Sequence, residues 1–121
     1  MPEPVTVYVV DQEPVIATTL VTILNMYGFQ ATAFTNAAGA NKATERNCPS
    51  VLLSEIVMWE MNGVDLAIHI KSICPNCKVF LCSGQVVSRD LLATANQAGC
   101  DFELFAKPLH PKDLLAALGK L

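Results

Sequence analysis

Two acids, an amide, a hydroxyl and an amine stand directly behind short apolar runs in this 121-residue chain. Asp11 and Gln12 close the run VYVV, Glu55 follows VLLS, Ser83 and Gly84 follow VFLC, and Lys107 follows ELFA. Brought to one place, these groups would make a small charged pocket rather than a large apolar one. Left apart, they are a few solvated loop residues. The elements that carry them decide between the two.

A second set of reactive side chains has a weaker pattern. The cysteines, Cys48, Cys74, Cys77, Cys82 and Cys100, are odd in number. In a chain that is 52% hydrophobic and needs no staples they do not read as a disulfide framework. Cys74-Pro75-Asn76-Cys77 is a C-x-x-C, but a redox pair should open a helix, where the dipole lowers the thiol pKa. This one follows an apolar segment and precedes a strand. No second Cys or His pair completes a metal site.

The apolar runs alternate between two periods. Residues 5–10 are almost continuously apolar, as in a strand covered on both faces. Pro14 then opens a helix in which Val15, Ile16, Leu20, Ile23, Leu24 and Tyr27 recur at helical spacing until Gly28. The pattern repeats, with a strand over 30–34 and a helix capped by Asn36 that runs to about Asn47, stopped by Cys48-Pro49. Next come a strand over 51–54 and a helix over 64–73, then a strand over 78–82 and a helix from Ser88 to Ala98 ended by Gly99. A strand over 101–105 and a helix over 111–118 complete the chain. Parallel neighbours need crossovers, so five strands alternating with five helices predict a doubly wound, five-stranded parallel sheet. It is a three-layer (βα)5 sandwich of the flavodoxin-like kind, a single domain over 1–121. In such sheets the working groups collect at the carboxyl ends of the strands, where strand order reverses. Asp11, Gln12, Glu55, Ser83, Gly84 and Lys107 all fall there.

These stretches together resemble the receiver domain of two-component response regulators, the CheY-like fold. "VYVVDQEP" is similar to the family's first strand and acidic turn, and "PSVLLSEIVMWEMNG" to its third strand and phosphoacceptor loop. "VFLCSG" is similar to the strand ending in a hydroxyl, and "AGCDFELFAKPL" to the last strand with its Lys-Pro; the resemblance covers residues 5–120. It implies a module of bacterial signal transduction, not an enzyme. In this family a histidine kinase supplies a phosphoryl group to an Asp, magnesium is held by that Asp and the acidic pair, and a hydroxyl and a Lys bind the phosphoryl oxygens. Such transfer works by positioning and charge neutralisation.

Carried over residue by residue, the resemblance places Glu55 at the phosphoacceptor position and Asp11 and Gln12 at the acidic pair. Ser83, Gly84, Lys107 and Pro108 fall on the phosphoryl-binding positions. Glu stands where the family has Asp, Gln where it has the second acid and Trp59 where it has a loop proline. The stretch 99–107 is one residue longer than usual, so Leu104 or Phe105 takes the place of a switching aromatic. One extra methylene moves the nucleophile by roughly 1 Å, a displacement that can cost ~100-fold in rate. Gln12 removes one anion from any metal shell, so magnesium, held by Asp11 and Glu55 if at all, should bind weakly and no cofactor is required. The longer arm also brings Glu55 within reach of Lys107 and Ser83. A permanent Glu55–Lys107 pair would bias the domain partly toward an active-like state without phosphate; alternatively the two groups only neutralise each other.

The expected function is a phosphorylation-independent receiver acting by protein contact in the cytoplasm, with a histidine kinase or downstream effector as partner. The alternatives are a phosphoacceptor with weakened magnesium dependence and a C-x-x-C redox or small-ligand module. Sixteen per cent charged residues and a net charge of −3 give no basic footprint for nucleic acid, and no apolar run could cross a bilayer. The face made by the 88–98 helix, the fifth strand and the last helix, with Leu91, Leu92, Phe102 and Phe105, is the one this family uses for homodimers and partners. Met58, Trp59 and Met61 flank the pocket loop, with Trp59 a partner contact, a lid or a residue packed back on its own domain. His69 and His110 are isolated and read as surface or packing residues.

Overall fold

Each apolar run pairs with its neighbour in register in a computed structural model that describes residues 4–59, 61–83, 93, 102–107 and 109–119. The strands are β1 (Thr6–Val10), β2 (Gln30–Phe34), β3 (Val51–Glu55), β4 (Lys78–Ser83) and β5 (Glu103–Ala106). They form one parallel sheet in the order β2-β1-β3-β4-β5. The described helices are α1 (Pro14–Met26), α2 (Ala37–Thr44), α3 (Gly63–Ile73) and α4 (Pro111–Leu118). The expected helix over 88–98 lies outside the described residues, as do Gly84, Leu91, Leu92 and Pro108.

Alternation along the strands divides the core in two. Val7, Val9, Leu53 and Phe80 pack with Ala17 and Leu24 of α1 and with Leu114 and Leu118 of α4. Val10, Leu52 and Leu81 face the other way, against Ala37 and Ala40 of α2 and Leu66 and Ile70 of α3. A sheet covered on both sides makes its central strands apolar throughout, and this is why β1, β3 and β4 read as unbroken runs. Strand order reverses between β1 and β3, whose ends carry Asp11 and Glu55.

Local chemistry sets the ends of the helices. Asn36 accepts from the Gly39 N–H at 2.7 Å and Asn62 from the Asp65 N–H at 2.8 Å, the N-cap geometry that satisfies first-turn donors. Gly28 follows α1 with φ +90°, where a Cβ would be strained. His110, expected as a surface or packing residue, is exposed and also caps α4 by accepting from the Lys112 N–H at 3.1 Å. Gly63 is required for space: a Cβ there would collide with the Glu55 carbonyl and stand 3.0 Å from Ile56 Cα. Gly63→Ala should therefore cost about 2 kcal/mol, as overpacking does, and lower the urea midpoint.

Several expectations are corrected. α2 stops at Thr44, not Asn47, with the Thr44 hydroxyl turned back on the Asn41 carbonyl. β5 runs over Glu103–Ala106, later than the predicted 101–105, and β3 and β4 each extend one residue further than predicted. On α1, Val15 is 77% exposed and Tyr27 is exposed, whereas Ala17, absent from the periodic set, is buried. The cysteines include a bridge after all, since Cys48 and Cys74 are disulfide-bonded with their Cα atoms 5.6 Å apart. Cys77, the other half of the C-x-x-C, is a free buried thiol.

Candidate functional site

Three backbone hydrogen bonds fix the ground on which the site stands. Asp11 N–H donates to the Phe34 carbonyl at 3.0 Å, Ile56 N–H to Cys82 at 2.9 Å, and Lys107 N–H to Ser83 at 3.0 Å. Each ties a strand end to its neighbour, so the side chains of β1, β3 and β5 meet at the sheet's carboxyl edge. The β3–α3 loop is closed by Gly63 N–H on the Ile56 carbonyl at 2.7 Å, holding Glu55 at its mouth.

The Lys107 ammonium lies between two carboxylates, 2.8 Å from Asp11 Oδ2 and 3.1 Å from Glu55 Oε1. The side chains of Lys107 and Glu55 are each 18% exposed and that of Asp11 is 5% exposed. Burial by itself lowers the Lys107 pKa, but the hydrogen bonds to Asp11 and Glu55 and the charge of both outweigh it, and the net shift is upward. The remaining oxygens are engaged too. Asp11 Oδ1 accepts the Glu13 N–H at 2.9 Å, and Glu55 Oε2 receives the Gln12 backbone N–H in a long 3.4 Å contact. The predicted Glu55–Lys107 pair is present, and Asp11, expected at a metal position, makes the shorter contact with the same amine. Ser83 is buried beside them at the end of β4.

Cys82 also belongs to the site, although a single thiol inside an apolar run carries no chemical pattern that would assign it there. It stands opposite Glu55 in the β3–β4 register, and burial pushes its thiol up to about 12, with Lys107 opposing and Asp11 and Glu55 adding to the rise. Register was the signal that would have placed it. It lines a cleft of about 250 Å³ between α1 and α4, walled by Ile16, Leu20 and Leu109 and reaching Asp11, Glu55 and Lys107. A second cavity, of about 470 Å³, opens above Gln12 and Asn36, with Trp59 at its rim. Trp59 is 92% exposed and does not pack back on the domain.

These donors fit a magnesium ion poorly. A hard dication takes six or more oxygens with anionic charge among them, but here a fixed ammonium already stands between the two carboxylates that the described residues bring to the cluster. Gln12 adds a neutral amide where a third anion would serve.

The family model for the response regulator receiver domain matches residues 7–119. The chain belongs to the receiver family. Among curated relatives, the response regulator receiver protein CpdR of Brucella abortus is 32% identical over 102 residues, covering 84% of this chain and 83% of that protein. The chemotaxis protein CheY of Thermotoga maritima is 28% identical, covering 95% of each. The probable transcriptional regulatory protein TcrX of Mycobacterium tuberculosis is 29% identical, and this chain spans 50% of its length. A CheY-like receiver from Methanospirillum hungatei shares the fold with a TM-score of 0.89 at 22% identity, covering 98% of this chain and 93% of that one. The receiver is thus a two-component signalling module with the five-stranded parallel architecture read from its sequence. Among the described residues no helix is long and apolar enough to cross a membrane.

The C-x-x-C gains no support as a catalytic dithiol. Cys74 is bridged to Cys48, and burial pushes the Cys77 thiol up to about 11, against the thiolate that such chemistry needs.

Proposed function

We propose that this receiver signals through protein contact without depending on phosphorylation of Glu55. The observation that carries the reading is the clamp on Lys107. The amine that would take a phosphoryl oxygen is already held by a carboxylate standing at the phosphoacceptor position, with Asp11 on its other side. A permanent Glu55–Lys107 contact supplies part of what a phosphoryl group would supply. A single carboxylate has fewer oxygens and less charge, so the bias toward an active-like state is partial. Magnesium binds weakly on this reading and no cofactor is required.

The partner is a protein, a histidine kinase or a downstream effector in the cytoplasm, and exposed Trp59 beside the loop cavity is a natural anchor for it. The β5 face, where Leu104 is exposed and Phe102 half-buried, is the proposed surface for a homodimer. Incubation with acetyl phosphate and magnesium, read by intact mass, should leave the chain unmodified. A stoichiometric, acid-stable and base-labile phosphoryl adduct would instead establish a working phosphoacceptor with weakened metal dependence.

A further inference from the structure

At the opposite pole of the sheet, three cysteines converge from two loops. Cys48 lies in the loop that leads into β3, Cys74 caps the end of α3, and Cys77 immediately precedes β4. Cys77 N–H donates to the Cys74 carbonyl at 3.0 Å, closing the Cys-Pro-Asn-Cys segment into a tight turn. Cys74 and Cys77 are both buried in the same apolar cluster, and with Cys48 they line one cavity of about 330 Å³. Cys48 is exposed.

We propose that these residues form a thiol–disulfide exchange site in which the Cys74 sulfur bonds either to Cys48 or to Cys77, and that the second arrangement presents Cys48 as a free surface thiol open to covalent modification. The step is internal. Cys77 gives up its proton to solvent, its thiolate attacks the Cys74 sulfur, and the Cys74–Cys77 bond forms as the Cys48–Cys74 bond breaks. Cys48 leaves as a thiolate and takes a proton from water. No electron enters or leaves, so no oxidant or reductant is consumed. The exchange also moves a tether. The first bond joins the loop before β3 to the end of α3, and the second closes only a four-residue turn.

The surroundings of Cys77 set the rate. Burial raises its pKa, and the charge of Lys71 on α3 and a backbone hydrogen bond from Leu52 of β3 oppose that rise only in part. Its sulfur also donates to the Lys78 carbonyl of β4 in a weak 3.6 Å contact, and the exposed Lys78 side chain stands next to it in the chain. The attacking thiolate is therefore scarce at neutral pH, where the Cys48–Cys74 form persists. Its fraction grows about tenfold per pH unit until the thiol's own pKa is reached.

Peptide mapping of the native, non-reduced chain tests this. The protein is held at pH 7, 8 and 9, pulsed with N-ethylmaleimide, acid-quenched and digested without reductant. Labelled Cys48 and a Cys74–Cys77-linked peptide should appear together, at initial rates rising about tenfold per pH unit. Both should vanish in Cys77→Ser and in Cys77→Ala, the latter preserving the apolar packing. Buried Cys82 should stay unlabelled, which separates exchange from unfolding. Absence of the linked peptide at every pH, or Cys48 labelling that persists in the Cys77 variants, overturns the proposal.

Discussion

Replacing Glu55 and Gln12 together by Asp should convert the receiver into a phosphoacceptor, with an initial rate of labelling by acetyl phosphate about 100-fold above the native chain. The backbone at Glu55 is pinned on both sides, by the Ile56 bond to Cys82 and by the Gly63 bond to Ile56. Removing a methylene therefore retracts the carboxylate by roughly 1 Å and leaves the loop where it is. Retraction breaks the 3.1 Å contact with Lys107 and frees one ammonium hydrogen for a phosphoryl oxygen. Asp at position 12 supplies the anion that the metal shell lacks, so the gain should require magnesium. Glu55→Asp alone should give the larger part of the effect and Gln12→Asp alone none, because the nucleophile's reach limits the reaction before the metal does. A folded double variant that stays unlabelled would show that arm length and metal charge do not limit phosphorylation at this position.

Much of this site was legible because its residues sit where a simple rule puts them. A parallel sheet covered on both faces writes β1, β3 and β4 as continuous apolar runs, and the first polar residue after each marks the carboxyl edge. Asp11 and Ser83 followed from that rule, Glu55 lies one residue beyond the Ser54 that it marks, and Lys107 sits at the same edge after β5. The pairing of Asp11 with Lys107 did not follow from it, because it joins residues 96 apart whose meeting depends on how β5 registers on β4. The Cys48–Cys74 bridge was missed for the same reason: an odd count with no regular spacing hides a contact made by the α3 end swinging back over the loop before β3. On α1 the helical period was read correctly, yet it could not tell that Val15 lies over the mouth of the cleft and stays in solvent while small Ala17 packs against the sheet. Helix ends depend on single side-chain bonds, and the Thr44 hydroxyl and the His110 ring have no periodic signature.

Lys107→Met should destabilise the fold by about 2 kcal/mol at pH 7, between the cost of breaking a fully buried pair and that of losing an exposed one. Methionine keeps most of the apolar stem of lysine, one atom shorter, so what is chiefly lost is the charge. Asp11 and Glu55 are then left as two like charges in a partly buried site. The pH dependence follows from the sign of the shift. The folded-state pKa of Lys107 lies above its ordinary value near 10.5, so folding favours the protonated amine. The stabilisation is complete below the unfolded value and is lost as pH rises through the folded one. Urea unfolding of the two proteins should thus show a constant gap from about pH 6 to 9.5 that narrows above about pH 10.5. A gap that persists undiminished at higher pH would mean the side chain's packing, not its charge, supports the fold. Adding Glu55→Gln to Lys107→Met should restore part of the loss, because it removes one of the two unpaired carboxylates, whereas Glu55→Gln alone should be nearly neutral while Asp11 still holds the amine at 2.8 Å. That non-additivity distinguishes a lysine that reconciles two acids from one that merely pairs with the nearer.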